Sequence, residues 1–320
     1  MKKEIWNWTM YLWDCLEESD KIESGSVDLI LTDLPFGTMK GLDAEPVKGD
    51  NNKNYVAGWG YKRGYDWDAI IEPTKVYEIA NRILRKNGKM VLFCQEPFTT
   101  QLINEAIPNI PFSYRAIWEK NDFANCLFAK KAMVNYYEDI LIFSKTHDLE
   151  RSHPLIDYFM GELEKTGMNQ NDVNKLLGNK MGGHYFTNGV QFCIPTEKNY
   201  NKLQETGYFK KPYQEIKEID NQFKKQFAST FNLWEGNKYK SNILKYKKDY
   251  NGYHPTQKPI LLLEDLIKTF SNENDLVVDL TAGSFSTCIA CESTKRRWVG
   301  IEKDEWYFNI WVERILNNKK

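Results

Sequence analysis

The chain has 320 residues, of which 42% are hydrophobic, 14% aromatic and 27% charged, enough apolar material for a sizeable core and too much for a disordered chain. Its 43 Lys and Arg balance 44 Asp and Glu for a formal charge of -1, which excludes an overall polycation, so any nucleic-acid site must rest on a local patch. No apolar run approaches the roughly 18 residues that span a bilayer, and a soluble cytoplasmic protein with no membrane partner is expected.

In chain order, the opening stretch MKKEIWNWTMYLWDCLEE places two lysines ahead of apolar residues, but Asn7, Thr9 and Asp14 interrupt it and no small-residue cleavage site follows. That argues against a signal peptide. A short continuous apolar run, VDLIL at 27–31, stops at Thr32-Asp33-Leu34-Pro35 and reads as a buried strand with Asp33 at its carboxyl end. Residues 73–84 carry Val76, Ile79, Ala80 and Ile83 at helical spacing, Asn87-Gly88 is a stop signal, and MVLF at 90–93 is the next buried strand. Apolar strands at 113–118 and 140–144 complete an alternating α/β pattern over 1–146.

The texture then changes. Ser152 can cap a helix with Pro154 in its first turn and Ile156, Phe159, Met160 and Leu163 on one face, and Gly167 ends it. Asn169 caps a second helix over Val173, Leu176 and Leu177 that stops at Gly178, and HYF at 184–186 can open a third. This is the rhythm of a helix-turn-helix and, equally, of a plain helical subdomain. Residues 151–248 hold 16 basic and 10 acidic side chains, a local excess of 16 − 10 = 6 positive charges. Strand and helix then alternate again: helix 261–270, strand 276–280, a Gly-containing turn, helix 287–293 and strand 298–301. The chain therefore reads as an α/β domain made of 1–146 and 236–320, interrupted by an inserted, mainly helical region at 147–235. The six cysteines (15, 94, 126, 193, 288 and 291) are scattered, and the CxxC of Cys288 and Cys291 has small apolar neighbours and no second pair at zinc-finger spacing. A buried helix face, rather than a metal site, is expected there.

Two motifs can carry chemistry. DLTAGSFST, at 279–287, lies between a strand and a helix, where small residues let the backbone approach a ligand and the helix start offers unpaired N–H groups. Glu302 ends the following strand about twenty residues on, where an acid can accept hydrogen bonds from ribose hydroxyls. The other motif is Asp33-Leu34-Pro35-Phe36. An exocyclic amine of adenine or cytosine has its lone pair delocalised into the ring, so its attack on a methyl donor needs acceptors for the amine hydrogens as nitrogen pyramidalises. A carboxylate, an adjacent backbone carbonyl and an aromatic ring supply these needs by positioning and electrostatics. Taken alone, the same four letters also fit a strand-ending turn with a capping Asp and a core Phe.

The segments WDCLEESDKIESGSVDLILTDLPFGT (13–38), HPTQKPILLLEDLI (254–267) and LVVDLTAGSFSTCIACESTKRRWVGIEKDEWYFNI (276–310) together resemble the DNA amino-methyltransferases that use S-adenosylmethionine. The catalytic motif comes first and the cofactor motif last, an order similar to their β group. Further matches at YDWDAII (65–71), NGKMVLFCQEPFTTQLI (87–103), YRAIWEKND (114–122) and YYEDILIFSK (136–145) extend the likeness over most of the chain outside the insert. The insert is itself similar to helical segments of phage-type members, and Asp rather than Ser at position 33 is similar to the adenine-type choice. The resemblance implies a Rossmann-like methyltransferase sheet with an inserted target-recognition region, in a bacterial or phage-encoded protein. It implies S-adenosylmethionine as cofactor and double-stranded DNA as partner, with a homodimer as candidate assembly.

By the same resemblance, Asp33 and the Leu34 carbonyl would hold the target amine, with Pro35 keeping Leu34 extended, and Phe36 would stack on the flipped base. Asp279, Thr281, Ala282, Gly283, Ser284 and Phe285 would shape the methionine-side pocket and Glu302 would bind ribose. His254, Thr256 and Lys258 would contact the cofactor from the HPTQKP segment. DNA contacts are expected from Lys180, His184 and Tyr185 in the insert and from Lys245, Lys247 and Lys248 in the lysine-rich stretch 236–249. Two departures stand out. Leu34 replaces the usual first proline, which leaves the needed carbonyl in place. Phe285 stands where a second glycine is usual, and the expected solution is a side chain directed away from the cofactor, between turn and helix. The rival readings are a cytosine N4-methyltransferase, which needs the same acceptors, and a DNA-binding relative that has lost the cofactor through Phe285.

Overall fold

Among the described residues, nine strands form one mixed sheet in the computed structural model, which covers residues 2–5, 8–37, 68–124, 130–146, 153–188, 191–226, 228–249, 257–283, 285–309 and 312. The strands are β1 (Lys2–Ile5), β2 (Trp8–Leu12), β3 (Val27–Asp33), β4 (Leu84–Cys94), β5 (Phe112–Ala124), β6 (Asn135–Ser144), β7 (Ile243–Lys245), β8 (Leu276–Asp279) and β9 (Arg297–Glu302), in the order β1-β2-β9-β8-β3-β4-β6-β5-β7. The five strands from β2 to β4 in that order run parallel, and β6 pairs antiparallel with both β4 and β5. A parallel sheet covered on both faces has strands that are apolar on both sides, which is why β3, β4 and β8 were readable as continuous runs. Leu29, Leu31, Val91 and Phe93 pack on one face with α9 (Ile260–Phe270) and α10 (Ser286–Ser293). Ile30, Leu34, Met90 and Leu92 pack on the other with α2 (Pro73–Ile83) and α3 (Phe98–Asn104), and Cys15 of the short α1 (Cys15–Glu18) joins them.

Each sequence-predicted strand and helix of this unit is present, most of them longer than the apolar run that announced them. Asn87-Gly88 does not stop a helix, however. The helix ends at Ile83, β4 starts at once, and residues 85–88 bulge between the register pairs Val27↔Leu84 and Leu29↔Lys89 with Asn87 at φ 62°. The apolar N-terminal stretch supplies β2, where Trp8 lies opposite Trp298 and stacks on it at 5.3 Å and 3°, a pair worth about 0.5–1.5 kcal/mol beyond its burial. Cys288 and Cys291 are buried on α10, and burial pushes both thiols well above their ordinary pKa. No helix among the described residues is long and apolar enough to cross a membrane.

The chain divides into two compact units, Met1–Thr146 with Ser229–Lys320, and His147–Ala228. The boundary falls seven residues earlier than the expected 235 because 229–235 is tied to α9: Asn232 donates its backbone N–H to the Thr269 carbonyl at 2.8 Å and its side-chain amide to the carbonyls of Lys268 and Ser271 at 3.0 Å each. The second unit contains α4 (Ile156–Thr166), α5 (Gln170–Leu177), α6 (Gly182–Tyr185), α7 (Glu197–Gln204) and α8 (Tyr213–Gln226), built around Phe159, Val173, Leu177, Tyr185, Tyr200 and Phe209. Left-handed Gly167 and Gly178 end α4 and α5, and Asn169 with Asp172 forms the capping box of α5. Ser152 lies outside the described residues, and the backbone N–H of Leu155, just before α4, donates to His153 Nδ1 instead. The third helix is corrected too: HYF does not open it, because α6 is a single turn that ends at Tyr185.

Candidate active site

The sheet order reverses between β8 and β3. From β8 the chain passes through α10 to β9 on one side, and from β3 through α2 to β4 on the other. Ligands of open α/β sheets bind outside the carboxyl ends of the strands at such a switch point, and Asp33 and Asp279 are the last residues of the two strands there. Side chains alternate along β3, so Asp33 follows Leu29 and Leu31 onto one face while Thr32 follows Ile30 onto the other. Thr32 Oγ1 lies 2.8 Å from Asp279 Oδ1 and 2.8 Å from Thr281 Oγ1, and Thr281 Oγ1 donates to the Asp33 carbonyl at 3.0 Å. These bonds lock the two strand ends together and fix where Asp33 points.

Asp33 Oδ2 accepts from Lys258 Nζ at 2.5 Å, while Oδ1 is buried and has no hydrogen-bond partner among the described residues. Burial raises the Asp33 pKa to about 6; the Lys258 charge opposes this and Glu138 adds to it. The buried Lys258 ammonium also lies 3.2 Å from Glu138 Oε2, and Lys120 holds Glu138 Oε1 at 2.5 Å. Burial acts against ionising Glu138, but the two lysines prevail and hold its pKa below the usual value. Beyond Asp33, Leu34 is buried and Phe36 is half-buried, its ring 6.3 Å from Phe98. Gly37, at φ 72°, donates its N–H to Asp68 at 3.0 Å, and a Cβ there would meet Ile70 at 2.7 Å. Only glycine suits that turn.

Lys258, expected to contact the cofactor from the HPTQKP segment, has its ammonium engaged by Asp33 and Glu138. Glu138 and Lys120 were not singled out from sequence at all. The available signal was an acid in YYEDILIFSK, a stretch that becomes largely buried strand. Gln257, also passed over, buries both ends of its amide without a partner among the described residues. His254, Thr256 and Ser284 lie outside the described residues.

At the other edge, Glu302 accepts from the Gly283 N–H at 2.6 Å and from the Asp304 N–H at 2.7 Å, one bond on each oxygen. Burial still raises its pKa to about 7. Each carboxylate oxygen keeps one further acceptor site, so a hydroxyl pair can still be held there. Ala282 is buried and ties the turn to β9 through its N–H to the Ile301 carbonyl at 2.8 Å; Gly283 sits at φ 46°, and among the described residues a Cβ there would meet the Thr281 carbonyl at 3.9 Å, an ordinary contact. Burial also pushes Asp279 upward, against hydrogen bonds from Thr287, Thr32 and the Thr281 N–H. Phe285 adopts φ 53° and is fully buried, packing edge-on to Trp298 at 6.4 Å and Phe308 at 6.3 Å. Room for its ring comes from Gly300, where a Cβ would meet Phe285 Cε1 at 2.8 Å. The ring thus fills core beneath the turn. At the end of β2, Trp13 is 56% exposed and donates its N–H to the Glu302 carbonyl at 3.0 Å.

The basic residues are dispersed. Residues 243–245 form a strand parallel to β5, Lys245 pairs with Glu119 at 3.2 Å, Lys248 donates to the Phe123 carbonyl at 3.1 Å, and Lys247 is exposed. In the second unit Lys180 and His184 are exposed. Tyr185, expected to contact DNA, is instead a core residue whose hydroxyl accepts from Asn199 at 3.0 Å.

A family model for DNA methylases of the N6/N4 type matches residues 27–313. Over 304 residues, 94% of this chain and 80% of the relative, the sequence is 25% identical to the DNA adenine methyltransferase YhdJ of Escherichia coli strain K12. Shorter segments match more closely: 40% identity over 74 residues with YubD of the same strain (23% of this chain, 33% of YubD), and 33% over 118 residues with the type II methyltransferase M.HindIII of Haemophilus influenzae (34% of this chain, 38% of that protein). The matched segments thus span about a third of the length of those two relatives. Among solved structures, the M1.HpyAVI–SAM complex has a TM-score of 0.51 at 17% identity, covering 95% of this chain and 97% of that one, a likeness of fold.

Proposed function

The chain belongs to the DNA methylase family, the S-adenosylmethionine-dependent DNA amino-methyltransferases, and we propose that it methylates the N6 amine of adenine in double-stranded DNA. The observation that carries this reading is Asp33 Oδ1, a buried carboxylate oxygen without a partner among the described residues, at the end of β3 where the sheet order reverses. An unpaired buried acceptor is costly to keep, and a target amine is the donor that fits it. The likeness to YhdJ, named as an adenine methyltransferase and matched over 94% of this chain, supports adenine as the base.

When bound, S-adenosylmethionine supplies an electrophilic methyl group on its sulfonium sulfur. The absence of a side chain at Gly283, the remaining acceptor sites of Glu302 and the inward turn of Phe285 suit that cofactor at the β8–β9 edge. In this reading Asp33 Oδ1 and the Leu34 carbonyl accept the two amine hydrogens, turning the nitrogen lone pair out of the ring plane toward the methyl group. The Asp33 charge stabilises the positive nitrogen that develops, and Oδ1 receives the surplus proton. Rotating the base out of the duplex costs a few kcal/mol, and stacking on Phe36, worth about 1–3 kcal/mol, offsets much of it. Lys247, with Lys180 and His184 of the second unit, would meet phosphates or base edges. The test is transfer of labelled methyl from S-adenosylmethionine to duplex DNA, followed by digestion to nucleosides. Label in N6-methyladenine is expected; label in N4-methylcytosine, or none in DNA, would overturn the reading.

A further inference from the structure

The charges around Asp33 form a string of alternating sign, Asp33–Lys258–Glu138–Lys120, with successive contacts of 2.5, 3.2 and 2.5 Å. Lys258, Glu138 and Lys120 are all less than a tenth exposed. Their positions follow from the sheet: Trp118 lies opposite Glu138 in the β5–β6 pair, so Lys120 reaches Glu138 from the diagonal position, and Asp33 and Glu138 reach the same ammonium from β3 and β6. The rings of Phe93 and Phe36, 5.2 and 5.8 Å from the Lys258 nitrogen, close off its remaining sides.

We infer that Lys258 and Glu138 are positioning residues for Asp33: the ammonium pins Oδ2 so that Oδ1 faces the amine, and Glu138 draws off part of that ammonium's charge so that Asp33 remains a strong acceptor. The inference rests on the assignment of Asp33 to the target amine. A lysine paired with Asp33 alone would neutralise the carboxylate it holds. Asp33 beside Glu138 without the lysine would face a like charge in a buried setting and take up a proton. Sharing one ammonium between two carboxylates avoids both outcomes, and Lys120 keeps Glu138 ionised so that the sharing persists. Among the described residues, the other titratable groups facing Asp33 are Asp279 and Cys94, the latter pushed up to about 12 by burial and so uncharged; Lys248 faces Lys120.

The test is a titration of the Asp33 carboxyl carbon by NMR in the full chain labelled with carbon-13 aspartate, the signal being identified by its loss in Asp33→Asn. Lys258→Met should move the Asp33 midpoint upward and Glu138→Gln should move it downward, each by about one pH unit or more. In active enzyme the acid limb of kcat should follow in the same two directions with KM for DNA and cofactor nearly unchanged. A pair that served only the fold would leave the acid limb of kcat in place. Midpoints that stay in place, or move the same way in both variants, would overturn the inference, and if Lys258→Met does not fold, an unmoved or raised midpoint in Glu138→Gln does so alone. Opposed shifts in a protein that transfers no methyl group would uphold the pinning of Asp33 and overturn the reading of the reaction instead.

Discussion

The ends of β3 and β9 hold a half-buried carboxylate each, and they hold it differently. Asp33 is gripped on one oxygen by a side-chain cation and has no partner on the other among the described residues, whereas Glu302 has a backbone N–H on each oxygen. Burial raises both, to about 6 and about 7. The contrast separates two jobs. A carboxylate held by one side chain can be tuned without changing the fold, as reacting chemistry requires. One held by the backbone of Gly283 and Asp304 is part of the turn itself, which suits a group that defines the shape of a cofactor pocket.

If the Glu302 end is part of the fold, its support should be expensive to remove. Phe285→Gly deletes a fully buried ring, a loss of about 3–5 kcal/mol, and relieves about 1–2 kcal/mol of left-handed strain. A net destabilisation of about 1–4 kcal/mol in denaturant titration is expected, with no gain in cofactor affinity. Tighter S-adenosylmethionine binding in this variant would mean that the ring blocks the pocket. Next in size, Glu302→Gln should weaken cofactor binding by about tenfold to a hundredfold in calorimetry, the worth of a hydrogen bond to a charged group. An unchanged affinity would take Glu302 out of the ribose site.

The same residue has a pH signature. Its pKa is about 7 in the folded protein against the ordinary 4.5, so between those values the folded state binds more protons than the unfolded state. Glu302 therefore lowers stability as pH rises from 4.5 to 7, by at most about 1.4 kcal/mol per pH unit. The stability difference between wild type and Glu302→Gln should show that slope in ligand-free protein; a flat difference would show that Glu302 is already ionised there. The smallest effect is expected away from both carboxylates. Lys247→Ala should lower the slope of log affinity for DNA against log salt by about 0.9. Lys245→Ala should change it less, because Lys245 already pairs with Glu119.

Much of this was legible in the sequence, for local reasons. Continuous apolar runs marked β3, β4 and β8, and the turn letters after β3 and β8 marked the two strand ends that meet at the switch point. What escaped has physical causes. The strand at 243–245 is flanked by lysines and gains its place only from β5, and the polar helices α7 and α8 show little beyond a few apolar positions. Tyr185 was expected to contact DNA, but the small second unit uses its aromatics as core. The pairing of Lys258 with Asp33 spans 225 residues and depends on strand order, which no local pattern encodes. Phe285 was flagged as a departure from sequence, yet the space that admits it comes from Gly300, on the neighbouring strand.

The central claim is that Oδ1 of Asp33 accepts the amine of the target base, and single-turnover methyl transfer by wild type, Asp33→Ala and Asp33→Asn tests it most directly. With cofactor affinity and folding stability measured alongside, both variants should lose about a hundredfold to a thousandfold in rate while binding S-adenosylmethionine as wild type does. Transfer at a near-normal rate in either variant would contradict the account.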